Sequence, residues 1–472
     1  MYKLIFIFII IFHSLSVFSQ YAIPIVQPLD SSGKYISRSM NLLQKSTEEK
    51  KNTVRVLVYG QSISAQEWWL LVKEDLEKRF PNANLIMENR AIGGFASQML
   101  WKTVKMDVLS FYPDLILFHV YGSHIDYPKV LEGFRGLTAA EVIIQTDHIT
   151  KVNEAIDYKQ HNVDLKSKEW SNKMCYKYIP DFAKEYKCDM ALIRDNWMEY
   201  LSKNNYQPAE FLRDGVHLND AGNKLLSQLL IPYIKYNPKY PTDPYQLDSM
   251  LSVPQNVQIS GDTLQFEFWG NKVDAIFEDG NHNPADTLAI LVDGKRPNEF
   301  QSTYVISRPY DSINGKFPWD MGCFYYTTNK KPLLKETWTC TITKINENHD
   351  AFEFEISGSK TGWDGKGKSS KKFVSNSQRV IIQPEDWHIK SAHRVTKLFI
   401  TAGYKFFWDV KSLSVNTLIP QNQSDPSIEN RLAMFQGIPN GKHKLVLVKK
   451  SSNFPAIKAF RIYQPYLGRN NK

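Results

Sequence analysis

Cysteine is scarce: four residues, at positions 175, 188, 323 and 340, in a chain of 472. None are spaced as C-x-x-C, so the sequence offers no zinc-ribbon ligand set. Beyond residue 20, no apolar run reaches the roughly 20 residues a bilayer-spanning helix needs. Internal repeats are absent, and no cysteine follows the leader described below, which argues against a bacterial lipoprotein. The Lys366 to Lys372 stretch is short and rich in small residues. It reads as a solvated loop rather than a nucleic-acid patch.

What is present is ordinary in bulk and uneven in detail. Apolar residues make up 42% and charged residues 23%, as in soluble globular proteins. The aromatic share of 13% is high and much of it falls after residue 250, alternating with polar residues as strands do. The formal charge of +9 favours acidic partners, uronic-acid glycans among them, without identifying one. Lys3, the apolar Leu4 to Phe12 and the small residues near Val17 and Ser19 form a secretory leader cleaved near Gln20. Export into an oxidising compartment follows, with no stable membrane insertion. There, each pair of cysteines, 175 with 188 and 323 with 340, could close a local disulfide or remain as buried thiols.

The length suits two domains, because single cores stop growing at about 250–300 residues. After a lead-in with a helix around Ser39 to Lys50, short apolar runs alternate with helical patterns. Strands are expected at Val54–Tyr59, Asn84–Glu88, Leu115–Val120, Glu141–Gln145 and Met190–Ile193, and helices at Trp68–Phe80 and Asn219–Tyr236. That alternation predicts a mostly parallel sheet flanked by helices over residues 21–236. Three prolines in Asn237 to Tyr245 mark a linker, taken as 237–250. Over 251–472 the period changes to two, with strands expected at 264–269, 287–292, 337–342, 352–356, 379–382, 397–400 and 444–448. Turns at Asp293-Gly294 and Asn440-Gly441 separate some of them, which predicts an antiparallel β-sandwich.

Two short motifs carry chemistry. Gly60-Gln61-Ser62 follows the first strand and precedes a helix, the edge where open α/β sheets bind ligands. A serine there presents its hydroxyl beside backbone N–H groups that favour an oxyanion, although serine after a strand is also a common helix cap. Near the end of the first half, Asp214-Gly215-Val216-His217 supplies a base and its orienter from one loop. Serine is a poor nucleophile until an imidazole takes its proton, and a carboxylate on the other ring nitrogen fixes the tautomer. Taken alone, Asp214 could equally cap a turn and leave His217 free on the surface.

Together these motifs resemble the SGNH (GDSL-type) hydrolase superfamily, over residues 54–236. The family's Gly-x-Ser block matches Gly60-Gln61-Ser62 and its Asp-x-x-His block matches Asp214 and His217. A glycine after an Asn-containing turn matches Asn89 to Gly94, and its Gly-x-Asn-Asp place is held by Gly122-Ser123-His124. The resemblance implies a flavodoxin-like three-layer α/β/α domain and acyl transfer by Ser62, His217 and Asp214, needing no metal or organic cofactor. It also implies an oxyanion hole from the Ser62 and Gly94 N–H groups. His124 replaces the asparagine donor, which puts the third contact, and with it the reaction type, in question. Gln61 replaces the usual aspartate, a form similar to that of carbohydrate acetylesterases.

Around this centre, Gln61, Asp126, Asp147, His148 and Arg213 are candidate substrate-binding residues, while His119 reads as a core histidine. Trp68 and Trp69 divide between core packing and sugar stacking. Trp363 and the Pro384–His388 loop divide between sandwich packing and a glycan platform. The leading expectation is a secreted carbohydrate O-acetyl esterase acting on an oligo- or polysaccharide, with no nucleic-acid partner. Its rivals are a glycoside hydrolase or lyase using His124 and the acidic rim, and a non-catalytic glycan-binding protein.

Overall fold

The computed structural model describes residues 21–151, 170–311, 333–397 and 399–468. The expected leader and Cys323 lie outside the described residues. Five strands form the first sheet: β1 (Thr53–Gly60), β2 (Asn84–Asn89), β3 (Leu115–His119), β4 (Glu141–Gln145) and β5 (Asp189–Ala191). Their order is 2-1-3-4-5 and every pairing is parallel. The longer helices of this half are α1 (Ser37–Gln44), α2 (Trp68–Arg79), α3 (Tyr127–Leu137), α4 (Ile179–Tyr186), α5 (Ile193–Asn204) and α6 (Asp220–Leu230). Val54, Val56 and Val58 pack with α1, α2, α5 and α6 on one face, around Trp68 and Trp197. Leu57 and Tyr59 pack with α3 and α4 on the other. Successive side chains of a strand point to opposite faces, so a sheet covered twice needs the unbroken apolar run seen in β1.

Three expected boundaries shift for identifiable reasons. The first helix stops at Gln44 because Asn52 and Ser46 fold the chain back: Asn52 Nδ2 donates to the Leu42 carbonyl at 2.9 Å, as does Ser46 Oγ. Strand β5 ends at Ala191 because Ile193 already opens α5. Helix α6 ends at Leu230, where Pro232 tightens the chain into a 3-10 turn over Ile231–Tyr233.

Two larger antiparallel sheets and a two-stranded one (Phe373–Val374 with Ile381–Ile382) follow, forming a sandwich-like region. One of the larger two orders Thr417–Leu418, Leu288–Val292, Arg431–Lys449, Thr263–Phe277, Ile457–Tyr463 and Asp248–Ser252. The other orders Tyr304–Ile306, Lys405–Ser412, Thr337–Ile345, Phe352–Gly358 and Gly362–Lys368. Each has its own apolar cluster, around Phe266, Phe460 and Leu445 in the first and Trp338, Trp408 and Phe354 in the second. Asn440-Gly441 is not a hairpin turn. It sits in a register break within the long strand Arg431–Lys449, which bends with its partner and continues. Of the strand expected at 397–400, the described residues Lys397, Phe399 and Ile400 are not in a strand: Ile389–Thr396 is helical and Lys397 ends it with φ of 59°. In the segment 379–382 only Ile381–Ile382 pairs.

The two halves meet through buried polar contacts. Asp107 accepts from Arg308 Nε at 2.9 Å, Gln436 Nε2 donates to the Leu109 carbonyl at 2.9 Å, and Lys102 pairs with buried Asp386 at 2.6 Å. The Lys272 ammonium lies between the rings of Tyr112 and Tyr463, at 4.4 and 4.3 Å. Within the expected linker, Asn237 donates to the carbonyls of Asp30 and Ser32, and Leu247 is fully buried. Cys175, Cys188 and Cys340 are free buried thiols, so no 175–188 disulfide forms. Burial pushes the Cys175 and Cys188 thiols up to about 12.

At the amino edge of the first sheet, buried charges tie down the lead-in. Glu141 of β4 accepts the backbone N–H groups of Arg38 and Ser39 in the first turn of α1, at 3.0 and 2.7 Å. Arg38 in turn pairs with Asp114 at 3.0 Å. Asp189 accepts from the Tyr35 N–H at 3.0 Å, and burial pushes its carboxyl up to about 7. An acid whose folded-state value is raised contributes stability at low pH, lost as pH climbs from its unfolded value toward the folded one. Asp189→Asn therefore flattens the decline in thermal midpoint between about pH 4 and about pH 7. The wild-type decline from this group is on the order of 4 kcal/mol, read by calorimetry across pH.

Candidate active site

The carboxyl ends of β1 to β4 converge on one edge. Gly60 closes β1 at φ of 149°, and a Cβ there would lie 1.8 Å from the His119 carbonyl oxygen of β3. Only glycine tolerates that approach. The turn beyond it is locked by Ser64 Oγ donating to the same carbonyl at 2.9 Å and by Trp68 Nε1 donating to the Ile63 carbonyl at 2.7 Å. Trp68 is thus core, and Ser62 sits half-buried within the locked turn.

The loop after β2 is stitched to this turn. Ile92 N–H donates to the Gly60 carbonyl at 2.9 Å and Asn89 Nδ2 to the Ser64 carbonyl at 2.7 Å. Asn89 Oδ1 accepts from the Ala91 N–H at 2.9 Å, which shapes the loop leading to Gly93 and Gly94. Gly93 faces Ser62: a Cβ on it would stand 4.0 Å from the serine Cβ. Gly94 has φ of 80°. Among the described residues, neither the Ser62 nor the Gly94 backbone N–H has a hydrogen-bond acceptor.

The third piece is the loop before α6. Its left-handed Gly215, φ of 80°, turns the chain so that Asp214 Oδ2 meets His217 Nδ1 at 2.8 Å. Asp214 Oδ1 also accepts the backbone N–H of His217 at 2.8 Å and of Val216 at 3.2 Å. These hydrogen bonds, the His217 backbone N–H first, hold the Asp214 carboxyl down to about 2, so it is ionised throughout the neutral range. Ser62, Gly93, Arg213 and His217 line one open cleft of about 830 Å³. Among the described residues lining that cleft are the carboxylates of Glu67, Glu210 and Asp220 and the guanidinium of Arg213. No hydrogen bond yet joins Ser62 Oγ to the His217 ring; such contacts commonly tighten only with substrate bound.

Of the expected substrate-binding residues Arg213 alone belongs to this cleft lining; the others lie apart from it. His124 stacks on Tyr178 at 4.4 Å and meets Trp170 edge-on at 5.4 Å. Asp126 pairs with Lys129 at 2.7 Å, and Gln61 does not line the cleft. Asp147 accepts from His119 Nε2 at 3.1 Å. Burial alone would raise its carboxyl, but His119 and His148 outweigh that and hold it well below the usual range. Arg213 lies exposed in the cleft, 3.7 Å from Asp214. In the second half, Trp387 packs on Phe352 and Phe354, while His388 meets Phe95, next to Gly94, at 5.5 Å.

One residue that the sequence reading passed over is Gln66. Its Oε1 accepts the Leu218 N–H at 3.0 Å and its Nε2 donates to the Leu218 carbonyl at 2.8 Å. A single amide thus bolts the serine turn to the histidine loop, 152 residues away. No local pattern marks a lone glutamine for such a role. Gln66→Leu strips both bonds and should slow labelling of Ser62 by a fluorophosphonate about 10- to 100-fold. Gln66→Glu, which keeps the acceptor and loses the donor, should fall between; stopped-time mass spectrometry reads both.

No family model matches the chain, and no curated protein does. Among solved structures, an acetyl xylan esterase, AlAXEase, aligns at 20% identity over 39% of this chain and 100% of its own, with a TM-score of 0.32. Axe2, an acetylxylan esterase from Geobacillus stearothermophilus, aligns at 16% over 40% of this chain and 98% of its own, with a TM-score of 0.32. A two-domain esterase active on acetylated mannans aligns at 12% over 92% of this chain and 95% of its own, with a TM-score of 0.34. Likenesses at these levels do not bear on the chemistry, which rests on the geometry of the cleft itself.

Proposed function

We propose that the chain is an exported serine esterase of the SGNH kind that removes acyl groups, acetyl above all, from carbohydrate. The observation that carries this reading is the His217–Asp214 pair at 2.8 Å, opening on the same cleft as Ser62. In the proposed cycle Ser62 Oγ attacks the ester carbonyl as His217 Nε2 takes its proton. The carbonyl electrons move onto oxygen, which the Ser62 and Gly94 N–H groups receive. Collapse expels the sugar alkoxide, which takes the proton back from His217. Water then repeats the steps on the acyl-serine and releases the carboxylic acid. The leader, the Gly-Gln-Ser form and the attached β-rich half support carbohydrate as the substrate and export as the destination.

A glycosidase on the same edge needs two carboxyl groups free to flank the scissile bond. Asp126 is tied to Lys129 and Asp147 is held between two histidines, so neither of these two rim carboxylates is free for that role. Glu67, Glu210 and Asp220 remain in the cleft, and the Ser62→Ala control separates the two readings. The decisive measurement is acetate release from a panel of acetylated glycans. Ser62→Ala should lower it by at least about a thousandfold. New reducing ends formed equally by wild type and Ser62→Ala would overturn the assignment. Because Asp214 stays ionised down to about pH 2, Asp214→Asn should depress turnover across the whole neutral range instead of shifting the profile. The expected loss is about 10²- to 10⁴-fold, read from kcat/KM against pH.

A further inference from the structure

The histidine loop has little to hold it by packing. Arg213, Asp214, Gly215 and Val216 are all exposed, and the Val216 side chain is 50% accessible. What fixes such a loop is a small number of polar tethers. One has been described, Gln66 on Leu218; a second is the Arg213 N–H donating to the His217 carbonyl at 2.8 Å. A third comes from a different strand. His148, just beyond β4, directs Nε2 at the Val216 carbonyl oxygen, 2.8 Å away. A carbonyl only accepts, so Nε2 is the donor and carries the hydrogen.

That carbonyl belongs to the peptide unit whose N–H is His217's own, and this N–H donates to Asp214 Oδ1 at 2.8 Å. The peptide is therefore gripped from both sides, by His148 at oxygen and by Asp214 at nitrogen. Hydrogen bonds in series polarise one another, so a donor on the carbonyl strengthens the N–H on the other side. The same Asp214 carboxylate orients the imidazole through Oδ2.

His148 is itself built in. Its ring is buried at 3% exposure and meets the indole of Trp197 edge-on at 5.5 Å. Its carbonyl accepts from buried Arg194 Nη1 at 3.1 Å. Its Nδ1 lies 3.3 Å from Asp147 Oδ1, which His119 Nε2 steadies from the opposite side at 3.1 Å. The chain of contacts runs from the end of β3, through the end of β4, into the loop that bears the base. Nothing in it needs a ligand or a metal.

We propose that His148 is a positioning residue: by holding the Val216 carbonyl it sets the peptide from which the His217 ring projects toward Ser62. The inference rests on the Ser62, His217 and Asp214 reading and adds to it a residue that meets neither substrate nor reacting atoms. It also replaces the expectation that His148 and Asp147 bind substrate. His148 Nε2 and Asp147 Oδ1 are engaged inside the protein.

The test exploits reach. In His148→Gln the amide Nε2 stands close to where the imidazole Nε2 was, whereas the amide of His148→Asn is one carbon too short. Three quantities are read on the full chain: fluorophosphonate labelling of Ser62, kcat and KM on an acetylated ester, and amide hydrogen exchange over 213–218. Asn should lower the labelling rate and kcat about 10- to 100-fold with KM little changed, and should speed exchange in the loop. Gln should restore labelling to within about threefold of wild type. Should His148→Asn prove insoluble, His148→Leu, which fills the space beside Trp197 without an N–H, takes its place. Wild-type labelling and exchange in the short variant would overturn the proposal and leave the Ser62 reading intact. Equal losses in both variants with a matching fall in thermal midpoint would also overturn it, since His148 would then serve stability alone. A wild-type chain that the probe does not label would remove the Ser62 reading and this proposal with it.

Discussion

Parallel pairing along the whole of β1 is the constraint on which the site depends. Because β1 lies between β2 and β3 with every strand pointing the same way, the loops that follow them must emerge at one edge. The contact between Gly60 and the His119 carbonyl is where that constraint is tightest. It draws the serine turn against β3, and the turn in turn anchors the Asn89–Gly94 loop through Ile92 and Asn89. A side chain at residue 60 would separate these pieces before any chemistry were lost.

The edge so assembled is economical in apolar contact and rich in hydrogen bonds. The serine and glycine loops are pinned in part by buried Ile63 and Ile92, whereas the histidine loop is exposed over 213–216 and has no such anchor within that span. Gln66, Asn89, Asp214 and His148 hold the edge by closing backbone groups of neighbouring loops upon one another. The opposite edge works differently. There Arg38, Asp114, Glu141 and Asp189 are buried, and the energetic balance is between desolvation and pairing. One end of the sheet is therefore stabilised by buried charge, with a dependence on pH, and the other by a mesh of neutral amide and carboxylate contacts.

The β-rich half meets the α/β half through polar anchors, among them Arg308 on Asp107 and Asp386 on Lys102. Lys102 and Phe95 belong to the stretch that follows Gly94. The Pro384–His388 loop of the second half therefore braces the far side of the segment that supplies a candidate oxyanion donor. Its tryptophan packs on Phe352 and Phe354 of its own core.

Period and turn chemistry were enough to read the parallel sheet and the change to antiparallel pairing from the chain alone, and motif order singled out Ser62, Asp214 and His217 as candidates. Those features are local: a strand buried on both faces must be apolar throughout, and one short loop can offer both carboxylate and imidazole. Gln66 and His148 were not legible in the same way. Each acts on a backbone group 152 or 68 residues distant, and a backbone carbonyl has no letter in a sequence. The fate of Asn440-Gly441 has the same cause. A turn dipeptide becomes a bulge when a long partner strand continues beside it, and only the folded sheet decides which.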